Sequence, residues 1–370
     1  MSASPTAKSA DDESSRPPTF TDFSVTANSA LACDRTPWSA LASRIAAVTS
    51  RTTELLALRT LSRAARCSRP GDPHDPLEDF HDAWWLRGAI SHAFTPRSRA
   101  YVRAAIASWD IDAPNIWSEE SLGALHRCIR DGEASCGEFR RIQNYLLLRG
   151  DARIVAEPPP PARVAGAIED LRDVTSRTVD PAEQLLLQVA AFVHFLEVHP
   201  FIDGNGRVAR IALARGVCAS IHARIPSLPI EEPFFQREAV VSRAFLGVRS
   251  DATREEALAR IWTAFLEILN DAVDRYQDVK RCLCAEVMAA RRALGGNRRQ
   301  RRIAQITLTQ ERVSIDDVAV GTGYSRDFVR STLELMQSAS IIASAGSIVI
   351  APLDPPPATR RSSHRVRPAR

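Results

Sequence analysis

The stretch His199–Arg210, HPFIDGNGRVAR, constrains this chain more than any other. Upstream of it, Leu185, Val189, Phe192, Val193 and Leu196 recur at helical spacing. That helix opens on Asp180 as N-cap and Pro181 at the first helical position, with Glu183 completing a capping-box pattern. A helix so apolar is mostly buried, and it delivers His199 at its C-terminal end. Gly204-Asn205-Gly206 then turns the chain, and a second helix runs from about Arg207 through Ala219 with Val208, Ile211 and Ala212 facing inward. The stretch is therefore a helix, a tight loop and a helix.

Its chemistry follows from what such a loop exposes. Backbone N–H groups are unsatisfied at a helix start, and the positive end of the helix dipole adds to their attraction for anions. Gly204 and Gly206 let the backbone approach a phosphate with no Cβ in the way. Arg207 and Arg210 lie in the first turn, where cations oppose the dipole unless an anion is present, so two of them imply a polyanion such as a nucleotide polyphosphate. Asp203 would repel that phosphate unless a divalent cation bridged them, and Mg²⁺ held through one carboxylate does so. Asn205 has an amide N–H to give to a phosphate oxygen. His199 is then the group able to accept a proton near neutral pH, the natural role being general base toward an attacking hydroxyl. GxxxxGK[ST], the third glycine of a dinucleotide fingerprint and the protein-kinase signatures are all absent. His194, five residues before His199 on a helix, faces elsewhere and reads as a core histidine rather than half of a metal pair.

Helical and turn signals dominate the remainder. Tyr101–Ala107 and Ser118–Arg130 read as helices, the second carrying Leu122, Leu125 and Ile129 on one face. Ile142–Leu148 and Arg153–Val155 read as a β-hairpin about Arg149-Gly150-Asp151, after which Pro158–Pro161 end regular structure. Glu255–Leu294 is helical until Gly295-Gly296-Asn297 breaks it, and Arg298–Leu308 begins something new. Ser314–Val320 and Ser325–Gln337 flank a glycine turn and precede a hairpin over Ser340–Pro352, the plan of a winged helix. Of 370 residues, 45% are hydrophobic and 25% charged, which sustains a core, and a net charge of +4 does not by itself demand nucleic acid. The seven cysteines are scattered without metal-ligand spacing and read as reduced thiols in a cytoplasmic protein. Met1–Pro18 lacks the apolar core of a secretory signal, and no segment is long enough to span a bilayer, so no membrane association is expected.

His199–Arg210 resembles the signature of the Fic family, HxFx(D/E)GNGRxxR, at every fixed position. GEFRRIQNYL (Gly137–Leu146) resembles the family's GxFRxxQN segment, and PPPPARV (Pro158–Val164) the proline stretch after its flap. The resemblance covers roughly Ser118–Ala219 and weakens onward to about Leu294. It implies a mainly α fold, a Fic-type helical bundle with a small β-hairpin flap, joined to a C-terminal winged-helix domain. The expected organisation is a disordered tail over 1–20, an N-terminal helical region over 21–117, the catalytic domain with trailing helices over 118–294, the winged helix over 298–353, and a disordered basic tail over 354–370. The activity implied is transfer of AMP from ATP, with Mg²⁺, to a hydroxyl of a target protein. His199 would be the base, Asp203 the Mg²⁺ ligand, and Gly204, Asn205 and Gly206 the α- and β-phosphate cradle. Arg207 would stabilise the developing charge, Arg210 reach the γ-phosphate, and Phe201 wedge the loop into the core. The flap, about Ile142–Val155, would hold the target by strand addition.

Two departures from the family pattern matter. An upstream inhibitory helix usually offers a glutamate to the last motif arginine; in one register Ala46 stands at that position, in the other Glu54 keeps it. Near Val241-Ser242 a tyrosine pair that often lines the nucleotide pocket is missing, which leaves UTP and GTP open beside ATP. The alternative reading is a DNA-binding regulator, with Arg326 and Arg330 on the recognition helix, Arg298–Arg302 and the basic tail as its support. Protein contact through the winged helix, self-modification at Tyr324, and pairing with a second copy are further partners left open.

Overall fold

The computed structural model describes residues 23–49, 96–111, 116–130, 136–147, 154–177, 180–221, 228–248, 253–308, 312–345 and 348–350. Glu54, both expected tails and the tip of the hairpin lie outside them. In chain order, α1 (Phe23–Leu31) and α2 (Thr36–Thr49) precede α3 (Pro96–Ala107), a short 3₁₀ turn (Ser108–Asp110) and α4 (Glu119–Ile129). The strands β1 (Leu146–Leu147) and β2 (Ile154–Ala156) follow, then α5 (Pro161–Thr175), α6 (Pro181–Val198) and α7 (Asn205–Ala219). Next come α8 (Glu231–Gln236), α9 (Glu238–Val248) and the long α10 (Arg254–Leu294). After it lie α11 (Arg298–Leu308), β3 (Arg312–Ser314), α12 (Ile315–Thr322), α13 (Arg326–Ser338), β4 (Ala343–Ala345) and β5 (Ile348–Ile350). The protein is mainly α. It divides into two compact units whose boundary falls between Tyr276 and Gln277, inside α10.

In the first unit α6 is the centre. Every residue from Leu185 to Phe195 is buried, as befits a helix that is apolar all round. Helices α1, α2, α5 and α7 pack around it. Its start is built as the sequence predicts: the Asp180 side chain accepts from the N–H groups of Ala182 and Glu183, and Pro181 takes the first position. Glu183 differs from expectation. Its carboxylate pairs with Arg35, between α1 and α2, rather than closing a capping box.

Two other expectations are corrected. Pro158–Pro161 do not simply end regular structure, since Pro161 occupies the first position of α5, where its missing N–H costs nothing. The expected first strand of the hairpin shrinks from Ile142–Leu148 to Leu146–Leu147, paired antiparallel with Ile154–Ala156. Residues 142–144 are instead held by side chains: Arg140 donates to the Ile142 carbonyl (3.2 Å), Gln143 to Pro158 (2.8 Å) and Asn144 to Phe201 (3.4 Å).

In the second unit α11, α12 and α13 pack on one another. Ser314 caps α12 in a full capping box with Asp317, and Gly323 at φ 71° ends it. β5 lies between β3 and β4 in an antiparallel three-stranded sheet. β3 has no counterpart in the sequence reading, because three residues carry too little alternation to register as a strand.

Candidate functional site

α6 ends on His199, which adopts the left-handed conformation (φ 49°, ψ 61°) while its N–H still closes the last turn on Phe195. The strained residue throws the chain sharply away, and Pro200 prevents the helix from continuing. His199 Nδ1 lies 3.4 Å from the Leu196 carbonyl. A carbonyl only accepts, so this contact favours the tautomer with the proton on Nδ1 and Nε2 as the basic nitrogen. Behind it, buried Glu197 lies 3.7 Å from His194 and 3.9 Å from Arg254 on α10. Arg254 in turn donates to Thr26 on α1 (3.1 Å) and to the Val248 carbonyl (2.8 Å). These groups fix the end of α6 to three neighbouring elements. His194 belongs to this set, is buried and packs at a tilt against Phe23 (4.9 Å between ring centroids), so it is the core histidine expected.

Arg140 secures the same corner from the other side. Almost fully buried at 4% exposure, its guanidinium donates to the carbonyls of His199 (2.9 Å), Val198 (3.3 Å), Ile142 (3.2 Å) and Pro159. Its own N–H reaches the Pro200 carbonyl (2.8 Å). One side chain therefore ties the histidine turn to both ends of the hairpin segment.

Phe201 is fully buried and is the expected wedge. Its backbone is stapled by Asn205, whose side chain accepts from the Phe201 N–H (2.9 Å) and donates to the Phe201 carbonyl (2.7 Å). This corrects the expectation that the Asn205 amide faces phosphate: with both amide atoms engaged and 1% exposure, Asn205 shapes the loop. Gly204 takes φ 86°, a conformation that L side chains rarely adopt, and caps α7. The N–H groups of Asn205 and Gly206 then open that helix, where no preceding turn supplies acceptors. A side chain at Gly206 would meet Arg210 Nη1 at 3.4 Å, so the arginine lies directly over the helix start.

Arg210 is the unusual charge. It is 8% exposed, its Nε has no hydrogen-bond acceptor, and among the described residues no carboxylate pairs with it. Phe235 and Phe234 of α8 cover it, their ring centroids 4.9 and 5.7 Å from the guanidinium carbon. Burial first, and then Arg207, push its pKa down to about 10, with Glu238 opposing. It remains cationic at neutral pH. A buried cation beside open helix N–H groups is a site for an anion.

Asp203 gives one oxygen to the Gly204 N–H (2.6 Å) and the other to Arg130 of α4. Among the described residues no three His, Cys, Asp or Glu side chains could hold a metal together. For Mg²⁺ to be held here through one carboxylate, Asp203 would have to share or release its Arg130 partner.

His126, on α4, was not singled out in the sequence. It stacks on Phe201 with centroids 4.0 Å apart and planes within 5°. Its Nδ1 accepts the Gly137 N–H (2.9 Å), so Nε2 carries the proton and donates to the Asp203 carbonyl (3.0 Å). The signal was present: His126 lies on the same apolar face as Leu122, Leu125 and Ile129, where a histidine needs partners. Burial first holds its pKa below the ordinary value of 6.5, with Arg130 and Arg207 adding to the depression and Asp203 opposing. The neutral ring is the one the fold accommodates, so its contribution to stability is complete above the unfolded-state value and is lost as pH falls below it toward the folded value. We expect the wild-type melting temperature to drop from pH 7 toward pH 5 more steeply than that of His126→Gln. Parallel pH profiles from thermal melts would remove this role from His126.

The remaining expectations fall elsewhere. Ala46 is half-buried in α2, beside Ile45 in the core. Val241 is buried on α9. Arg326 and Arg330 of α13 are each paired with an acid, Asp316 (2.7 Å) and Asp327 (3.4 Å). The Tyr324 ring packs edge-on to Phe328 (5.7 Å), with the Arg299 guanidinium carbon 5.9 Å from its centre. No described helix is long and apolar enough to cross a membrane.

Residues 116–215 match the model of the Fic/DOC family. Among solved structures, a Fic family protein from Desulfovibrio desulfuricans G20 aligns over 91% of this chain and 98% of its own, at 20% identity and a TM-score of 0.49. A Fic domain containing signaling protein from Bacteroides thetaiotaomicron VPI-5482 aligns over 66% of this chain and 98% of its own, at 13% identity and a TM-score of 0.46. Comparison with curated proteins gives no match. The matched segment spans Ile116 through Arg215 and holds the whole histidine-to-arginine loop with α6 before it and most of α7 after it: residues 116–215 are a domain of the Fic/DOC family.

Proposed function

We propose that this chain is an Mg²⁺-dependent protein adenylyltransferase that moves AMP from ATP to a hydroxyl of a target protein. Fic domains in general transfer a nucleoside monophosphate to proteins. The observation that carries the reading for this chain is Arg210, a buried guanidinium that no carboxylate among the described residues pairs with, lying over the helix start that follows the catalytic loop. His199 Nε2 accepts the proton of the target hydroxyl as its oxygen attacks the α-phosphorus. The bond from that phosphorus to the bridging oxygen breaks, and pyrophosphate leaves. Arg207 and the N–H groups of Asn205 and Gly206 meet the negative charge that develops, and Arg210 holds the far phosphate. Mg²⁺, held by Asp203, would neutralise the departing phosphates. β1 and β2 would take the target backbone as an added strand, and the exposed Ile142, Tyr145 and Ile202 border that segment and the loop. Two of the arginines on which the DNA-regulator reading rests, Arg326 and Arg330, are each paired with an acid.

The test is incubation of the purified chain with α-labelled ATP, GTP or UTP in turn, with a proteome from which small molecules have been removed, and with EDTA as control. Label on protein from ATP that EDTA abolishes supports the proposal. Label from UTP or GTP alone would keep the reaction and overturn the nucleotide. No protein label from any of the three would overturn the function.

The two phenylalanines of α8 make a second expectation. Cation–π contacts to a desolvated guanidinium are worth about 1 to 2 kcal/mol, so Phe235→Ala is expected to raise the KM for ATP by roughly 5- to 30-fold and change kcat little. Initial rates across an ATP series give the split directly, and an unchanged KM would remove Phe235 from the ATP site.

A further inference from the structure

A second basic concavity lies in the second unit, away from the Fic/DOC residues in sequence. The end of α10 and the face of α11 enclose a cavity of about 350 Å³ whose lining includes Arg291, Arg298, Arg301 and Arg302. No acidic residue lines it, and Val287 and Leu308 give it an apolar wall. None of these four arginines is in an ion pair in the described structure, whereas Arg326 and Arg330 of the same unit are each paired with an aspartate. Arg301 gives one N–H to the Gly296 carbonyl (2.8 Å), and its Nε is buried without an acceptor. The first turn of α11 adds to the excess: it holds no acid, and its arginines sit at the positive end of the helix dipole. Four cations around one cavity, with no acid lining it among the described residues, repel each other, most strongly at half-buried Arg301, and an anion between them removes that repulsion.

We propose that this cavity is a binding site for a phosphorylated small molecule of mononucleotide size. Guanidinium groups present paired N–H donors that match phosphate oxygens, which makes arginine the residue for phosphate recognition. The volume is that of a small-ligand pocket, and the Val287–Leu308 wall takes an apolar ring beside the phosphates. A nucleic-acid strand is favoured by cations spread along a track; these four converge on one hollow. The site is independent of the transfer reaction proposed above and stands or falls by binding.

The experiment uses the full chain carrying Arg207→Ala and Arg210→Ala, so that nucleotide affinity of the catalytic loop does not mask the second site. ADP, inorganic pyrophosphate and a random-sequence DNA duplex are titrated separately by calorimetry. The expected result is one saturable site for ADP that weakens by about tenfold or more when Arg298→Gln and Arg302→Gln are added, with slower amide exchange in α11 on binding. The glutamine pair removes charge without burying any, and circular dichroism verifies its fold. No ADP or pyrophosphate binding, or ADP binding indifferent to the glutamine pair, would overturn the site. Duplex binding through these arginines with no ADP binding would overturn it in favour of a nucleic-acid surface.

Discussion

His199→Ala is expected to lower the transfer rate by roughly 10²- to 10⁴-fold, the usual contribution of a positioned general base. Stability should change little. The residue at this corner must adopt φ 49° whether it is histidine or alanine, and the side chain's hydrogen bond to Leu196 is long at 3.4 Å. The discriminating measurement pairs labelling rate with a thermal melt. A melting temperature near wild type with label lost places the effect on the chemistry. Label retained within a few-fold of wild type would take the proton-transfer role away from His199, since no background path should approach the catalysed rate.

Arg140→Ala should have the largest effect on stability. Removing the guanidinium leaves the carbonyls of Val198, His199, Ile142 and Pro159 without their donor in a buried corner. An unsatisfied buried acceptor costs about 1 to 3 kcal/mol, and the costs do not simply add because the corner relaxes. A total of roughly 3 to 5 kcal/mol is expected, equivalent to about 10 °C or more in the melting temperature of a unit this size. Arg140→Lys keeps the charge and loses the planar fork, so it should recover only part of the loss. Transfer should fall in both variants below their melting temperatures, because the same guanidinium sets the turn that presents His199. A melting temperature within about 3 °C of wild type for Arg140→Ala would show that water replaces the arginine there.

What the sequence made legible and what it hid divide along a physical line. The turn from His199 to Gly206 could be read because its determinants are neighbours: a proline, two glycines and an asparagine act on their own backbone. The N-cap at Asp180 was readable for the same reason. Arg140 could be quoted within a motif, but its acceptors lie up to 59 residues away, and nothing local announces them. His126 reaches the loop across 77 residues, and Phe234 and Phe235 meet Arg210 through tertiary packing of α8. The Asn205 side chain's bonds to Phe201 are not legible in the motif, because they depend on the turn bringing residue 201 back beside it. The prolines before α5 read equally as an ending and, through Pro161, as a beginning, an ambiguity that proline alone does not resolve. Glu54 lies outside the described residues, so the choice between it and Ala46 rests on the sequence alone.

The staple between Asn205 and Phe201 also bears on how the protein ages. Asn205-Gly206 is an asparagine–glycine pair, the dipeptide whose amide is most readily lost by attack of the following N–H on the side-chain carbonyl carbon. Here the side chain is turned back onto Phe201 and its nitrogen is held at 2.7 Å, while Gly206 is already wound into α7. The folded loop therefore keeps the attacking and attacked atoms in a geometry that opposes cyclisation. Unfolding releases both. If the amide is lost in that state, the carboxylate returns facing the Phe201 carbonyl with two lone-pair-bearing atoms opposed and no proton between them. The loop that refolds is missing one of its two fastenings, so a single episode of unfolding can leave a lasting chemical record at the turn that opens α7.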